Sequence, residues 1–188
     1  MPKKSKTENA IAMLKEDHSE VKALFNEFEK ADTTSSTKQA LVADAMMKLK
    51  LHASIEESLF YPALRQEMED EEGVLDEADE EHHVAKILIA ELEQMTGNEE
   101  HWEAKFKVLA ESVRHHIKEE EGEIFPEARK TNIDFVALGE QMSNLKESLR
   151  NNGIPPDAET RMIADQGLRG ESPSRQAKQR VKVPLKAA

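Results

Sequence analysis

The chain of 188 residues has a net charge of −12, no cysteine, 34% charged residues and only 4% aromatic ones. The missing cysteines exclude disulfides, iron–sulfur clusters, cysteine-held zinc and thiol nucleophiles. No apolar run nears the ~18 residues of a membrane span, and the acidic balance argues against nucleic-acid binding.

From the N-terminus, Met-Pro-Lys-Lys-Ser-Lys is basic with no apolar stretch behind it, so no signal peptide is expected and the expected location is cytoplasmic. Ile11, Leu14, His18, Val21, Phe25 and Phe28 step by three and four, the spacing of one buried helix face. Val42, Ala45, Leu49, His52, Glu56 and Leu59 do the same, then Leu75, Ala78, His82, Ala85, Ile89 and Leu92, then Trp102, Phe106, Leu109, Val113, His116 and Glu120. These stripes predict helices over 8–30, 37–69, 74–96 and 100–129, with a Ser/Thr-rich turn at Asp32–Thr37 and breaks at Gly73 and Gly97. Pro62 and Pro126 fall inside the second and fourth runs and predict kinks or shortening there. Phe135, Leu138, Met142, Leu145 and Leu149 predict a fifth, shorter helix, stopped by Asn151-Asn152-Gly153 and Pro155-Pro156.

The expected fold is all-α, an up-down-up-down four-helix bundle with a short fifth helix and a disordered C-terminal tail. Its expected parts are a domain over 8–130, an added helix over 131–152, and linker plus basic tail over 153–188. Residues 167–188 carry six basic side chains against Glu171, which leaves −17 on residues 1–166.

One repeat organises the chain. His18, His52, Glu56 and Pro62 recur as His82, His116, Glu120 and Pro126, all at an offset of 64 residues. On a helix, residues four apart differ by about 40° in direction and about 6 Å in rise, so each His and its Glu point the same way. They point along the apolar stripe, where a buried carboxylate without a partner costs several kcal/mol or is neutralised. Six such groups converging inside one bundle need a shared partner, and a pair of metal ions supplies it. His83 adjoins His82 as a rival ligand, but the 64-residue frame favours His82. His101 and His115 read as surface residues. Glu57 and Glu121 repeat one residue further round and read as solvated or as partners of the imidazoles.

These stretches resemble the hemerythrin-like, HHE cation-binding family of non-haem di-iron proteins. The resemblance rests on Asp17-His18, His52-x3-Glu56 through Pro62, Glu81-His82-His83, and His116-x3-Glu120 through Pro126, and it covers roughly residues 8–130. It implies one iron on His18 and His52, a second on His82 and His116, and bridges from Glu56 and Glu120. The implied cofactor is thus two non-haem, carboxylate-bridged iron ions, with neither haem nor iron–sulfur cluster. The ferritin-like pattern fits less well, since those bundles use Glu-x-x-His and more carboxylates.

Reversible oxygen carriers of this kind carry a further His four residues after the one at 82, where this chain has Lys86, matched by Lys22. Two imidazoles per iron leave more exchangeable positions, as catalytic metals need. The expected function is redox chemistry of a small oxidant such as hydrogen peroxide (catalase-like, against oxidative stress) or nitric oxide. Oxygen or iron binding and sensing without turnover stands as the alternative, so enzymatic activity is left open. The expected partner is a small diatomic or peroxide ligand, with no membrane. Lys22 and Lys86 are candidate cations near the centre. Tyr61 lies nine residues from His52, opposite it on an ideal helix, and is assigned no role unless Pro62 bends the helix. The acid-dense run from Glu67 to Glu81 could gather cations, but a solvated helix end and loop is the favoured reading.

Overall fold

The structure, a computed structural model, describes residues 9–31, 35–68 and 73–166. The expected basic tail (167–188) lies outside these, as do residues 32–34 of the first turn and 69–72 of the acidic loop. Helix α1 spans Ala10–Lys30, α2 Ser35–Ile55, α3 Tyr61–Glu67, α4 Val74–Glu93, α5 Trp102–Glu119, α6 Phe125–Ala128, α7 Phe135–Asn152 and α8 Ala158–Gln166. A π-helical turn, Glu56–Phe60, joins α2 to α3, and a second, Glu120–Ile124, joins α5 to α6. Each joined set runs as one rod, so the four expected helices are all present.

Helix ends follow local chemistry. The Asn9 side chain accepts from Ile11 N at the start of α1, and Asp134 caps α7 by accepting from Val136 and Ala137. Gly97 turns the chain after α4 at φ 86°, and a Cβ there would meet the Gln39 side chain at 2.6 Å.

α1 packs on α2 and α4 on α5, and α1–α5 and α2–α4 contacts join the two hairpins. The offset of 64 therefore relates two helical hairpins about a pseudo-twofold. Even the π turns obey it. Their diagnostic bonds, Tyr61 N to Glu56 O and Phe125 N to Glu120 O, span five residues rather than four. Pro62 and Pro126 are the second residues after these turns. The prolines thus neither end nor break their helices, because the wider turn ahead absorbs the missing N–H and the ring.

Two apolar layers fill the bundle. One gathers Leu14, Ile55, Phe60, Leu75 and Phe125 beneath Leu138 and Met142 of α7. The other gathers Phe25, Phe28, Leu92, Trp102 and Phe106. His18 sits on α1 between Leu14 of the first layer and Val21 of the second, so the polar cluster lies between two dry slabs.

The stretch 153–166, expected as linker, is built differently. Ile163 of α8 is buried at 2% exposure, α8 packs along α4, and Glu159 meets His83 at 2.6 Å. One buried isoleucine in a nine-residue helix is too short a pattern to read from periodicity. Among the described residues no helix is long and apolar enough to cross a membrane.

Candidate metal centre

His18, His52, Glu56, His82, His116 and Glu120 are the six groups singled out by the repeat, and all are buried to 6% exposure or less. The structure brings them to one point. His18 Nε2 faces His52 Nε2 at 3.1 Å, and His82 Nε2 faces His116 Nε2 at 3.1 Å. Glu56 Oε2 lies 3.1 Å from His52 and 3.4 Å from His82. Glu120 Oε2 lies 3.1 Å from His18 and 3.5 Å from His116. Each carboxylate thus touches one imidazole of either half, the arrangement a bridging carboxylate needs. His83 points away to Glu159 and is 47% exposed, so His82 is the cluster member.

The outer nitrogens explain why the inner ones face inward. His82 Nδ1–H donates to Glu57 Oε1 (2.9 Å) and His18 Nδ1–H to Glu121 Oε1 (3.0 Å). His116 Nδ1–H donates to Glu81 Oε2 (2.8 Å), whereas His52 Nδ1 stands 3.5 Å from Asp17 Oδ2, too far for a full bond. A proton fixed on Nδ1 leaves the Nε2 lone pair free, which is the metal-binding tautomer. Glu57 and Glu121 therefore act across the pseudo-twofold, each holding an imidazole of the other half. Lys86 and Lys22 bind these same carboxylates (2.6 and 3.2 Å) rather than pointing at the imidazoles.

The charge pattern is asymmetric. Burial, with the charge of Glu120 beside it, pushes the Glu56 carboxyl well above the usual range. Burial alone would raise Glu120 too, but His18, His116 and His52 hold it well below that range. Burial pushes the His52 imidazole down to about 4, against the pull of Asp17. Both oxygens of Glu56 and Oε2 of Glu120 are buried without a hydrogen-bond partner. Native interiors rarely tolerate that. Two carboxylates with three unpartnered oxygens between them, facing four imidazole nitrogens, form the donor set of a cation site, and the residues present fit a carboxylate-bridged metal pair.

Tyr61 was missed by periodicity. It is fully buried, its hydroxyl donates to Glu120 Oε1 at 2.9 Å, and its ring tilts against His82. On a uniform helix it would lie about 180° from His52, but the π turn inserts one residue and brings that to about 80°. The repeat could have flagged it, since its mate Phe125 stacks on His18 in the other half. Tyr61 against Phe125 is a break in the pseudo-symmetry at the centre itself.

Burial, followed by the charges of Glu56 and Glu120, pushes the Tyr61 phenol well above its ordinary value. A raised phenol contributes stability below the unfolded value that is lost as pH rises through the folded one. Tyr61 is the chain's single tyrosine, so an alkaline absorbance titration reports on it alone. No phenolate should form until the fold itself is lost, as followed in parallel by circular dichroism. Phenolate appearing near pH ~10 in a folded protein would contradict the buried bond.

A cavity of about 100 Å³ reaches all four histidines. Its walls are largely apolar, from Val21, Leu49, Ile89 and Val113, and Ile154 and Pro155 of the α7–α8 connection cover it.

A family model described as Hemerythrin HHE cation binding domain matches residues 9–128. Uncharacterized proteins of Mycobacterium bovis and Mycobacterium tuberculosis are 26% identical to this chain over 149 residues, spanning 78% of it and 90% of their own length. A crystal structure of a Hemerythrin HHE cation binding domain-containing protein from Mycobacterium kansasii has the same fold. It aligns at a TM-score of 0.66 and 24% identity over 87% of this chain and 95% of that one.

Proposed function

The chain belongs to the hemerythrin HHE cation-binding family, and on that premise we propose that it holds a carboxylate-bridged pair of non-haem iron ions and uses them in redox chemistry of a small oxidant, hydrogen peroxide foremost. His18 and His52 would hold one ion, His82 and His116 the other, and Glu56 and Glu120 would bridge them. The observation that carries this reading is the set of buried carboxylate oxygens without hydrogen-bond partners, amid four inward-facing imidazoles. When bound, the metal pair supplies redox equivalents that no side chain here can supply.

The protein's own groups do the remaining work. Glu57, Glu81 and Glu121 hold the outer imidazole protons and so aim the lone pairs inward. The apolar walls disfavour water on the cavity side of the centre. A dry engineered cavity of ~150 Å³ accepts benzene, so one of about 100 Å³ suits a molecule of a few heavy atoms. Nitric oxide meets the same size limit as peroxide.

The test is iron content and the visible absorption spectrum of the purified protein, before and after hydrogen peroxide. An iron pair per chain with oxygen evolved on peroxide addition is the expected result. A full iron pair without turnover of either oxidant would replace catalysis by oxygen or iron binding and sensing. Zinc, or no metal after anaerobic iron supplementation, would overturn the reading.

A further inference from the structure

A second, smaller opening reaches the centre, and it differs in charge. It has a volume of about 40 Å³, and Glu77, Glu81, Glu119 and Glu123 line it above His116 and Glu120. Glu81 and His116 line both openings; beyond them, on α4 the funnel uses earlier residues (Glu77, Ala78) and the apolar cavity later ones (Ala85, Lys86, Ile89). The two openings thus approach the cluster from different ends of the bundle.

We propose that the acidic funnel of Glu77, Glu81, Glu119 and Glu123 is the route by which ferrous iron enters the centre, with Glu81, His115 and Glu119 as a transient outer site. This rests on the reading of the centre as an iron site. The outer groups are geometrically ready. His115 Nε2 lies 3.0 Å from Glu119 Oε1 and 3.8 Å from Glu81 Oε1, and one donor atom of each residue falls within 4.8 Å of the others. Glu81 faces both ways, with Oε1 toward His115 and Oε2 accepting from His116 Nδ1–H at 2.8 Å. At the floor, Glu120 is fully buried and its Oε2 has no hydrogen-bond partner. Among the described residues no lysine or arginine pairs with Glu77, Glu81, Glu119 or Glu123, so no described cation neutralises the funnel's charge.

The pseudo-twofold supplies an internal control. The mates of Glu77, Glu119 and Glu123 are Met13, Ile55 and Leu59, which pack with Leu138 and Met142 of α7. The mate of Glu81 is Asp17, bound by Lys146 of α7. The mate of His115 is Leu51, buried at 3% exposure. One half is therefore plugged by apolar side chains and α7. Among the described residues the other half leaves the same approach uncovered and lines it with carboxylates. The funnel has room for roughly three water-sized bodies, so a hydrated ion must shed part of its shell, and carboxylate oxygens are the replacements a ferrous ion accepts. Clefts lined by one sign of charge concentrate counter-ions and raise entry rates by roughly 10- to 1,000-fold.

The test is anaerobic ferrous-iron loading of metal-free full-length protein, read as rate and as final iron content. The triple variant Glu77→Gln, Glu119→Gln, Glu123→Gln should load about tenfold more slowly and reach wild-type iron content. A charge-matched control, Glu16→Gln, Glu140→Gln, Glu147→Gln, should load at the wild-type rate. Wild-type loading should also slow with salt, and the funnel variant's should do so less. Should the triple variant misfold, Glu123→Gln alone carries the same comparison with a smaller effect. An unchanged loading rate at full iron content, or equal slowing in the control, would overturn the route while leaving the iron centre standing. Wild-type protein that takes up no iron would overturn both.

Discussion

Glu56→Leu should melt at a higher temperature than wild type without metal, and it should bind no metal pair. Glu56 is fully buried, and neither oxygen meets a hydrogen-bond donor. Replacing buried ion pairs by apolar residues of similar volume is often neutral or stabilises by about 1–4 kcal/mol, and a carboxylate without hydrogen-bond partners has still less to lose. The pH dependence carries the sign. Burial and Glu120 raise the Glu56 pKa in the folded state, so wild type loses stability as pH climbs above the ordinary glutamate value. The advantage of Glu56→Leu should therefore be largest at neutral pH and narrow toward acid. Added iron should reverse the order, because a ligand that binds only the folded state adds its binding free energy to stability. Thermal melts of both proteins with and without ferrous iron check this. A lower melting temperature for the metal-free variant would show that Glu56 has a partner after all. A higher melting temperature marks Glu56 as a residue kept for function at the expense of the empty fold.

Cutting the chain after Thr131 should give a fragment that aggregates or melts far below the full protein, although it retains the whole family-matched span. Leu138 and Met142 of α7 are buried in the same layer as Leu14, Ile55 and Phe60. Burying those two side chains alone stabilises by about 3–6 kcal/mol, a large share of the 5–15 kcal/mol typical of a domain. The cut also removes Lys146, which together with His52 holds the Asp17 carboxyl below its usual range against burial. Cutting after Gln166 removes none of these groups and should leave iron content unchanged. Circular dichroism melts, size-exclusion profiles and iron analysis of the two fragments provide the comparison. A monomeric, cooperatively melting, iron-loaded 1–131 fragment would show that α7 is dispensable.

How far each feature could be read from the chain depended on how local its cause is. The stripe His18, Val21, Phe25, Phe28 is local, so α1 and its buried face were legible. The six cluster residues were legible because the 64-residue repeat tested each against its mate. The roles of Glu57 and Glu121 were half legible, since periodicity placed them beside the site but could not say that each serves an imidazole of the opposite half. Glu77 to Glu81 read as a solvated acidic stretch because sequence does not reveal which neighbour is covered by α7 and which is left open. Tyr61 was assigned to the wrong side because uniform helical geometry was carried through a π turn. A single five-residue hydrogen bond moved every later residue round by about 100°.

By itself the sequence determined the helices, their pairing into two related hairpins, and the set of four imidazoles and two carboxylates. These follow from apolar spacing and from the cost of burying polar groups. Tertiary structure decided what spacing cannot carry. It set which carboxylate orients which imidazole, brought Tyr61 onto Glu120, covered the apolar cavity with residues 154–155, and packed α7 over one half while leaving the acidic approach of the other uncovered by it. Those outcomes depend on contacts between segments far apart in the chain, whose distances are fixed only when the helices pack.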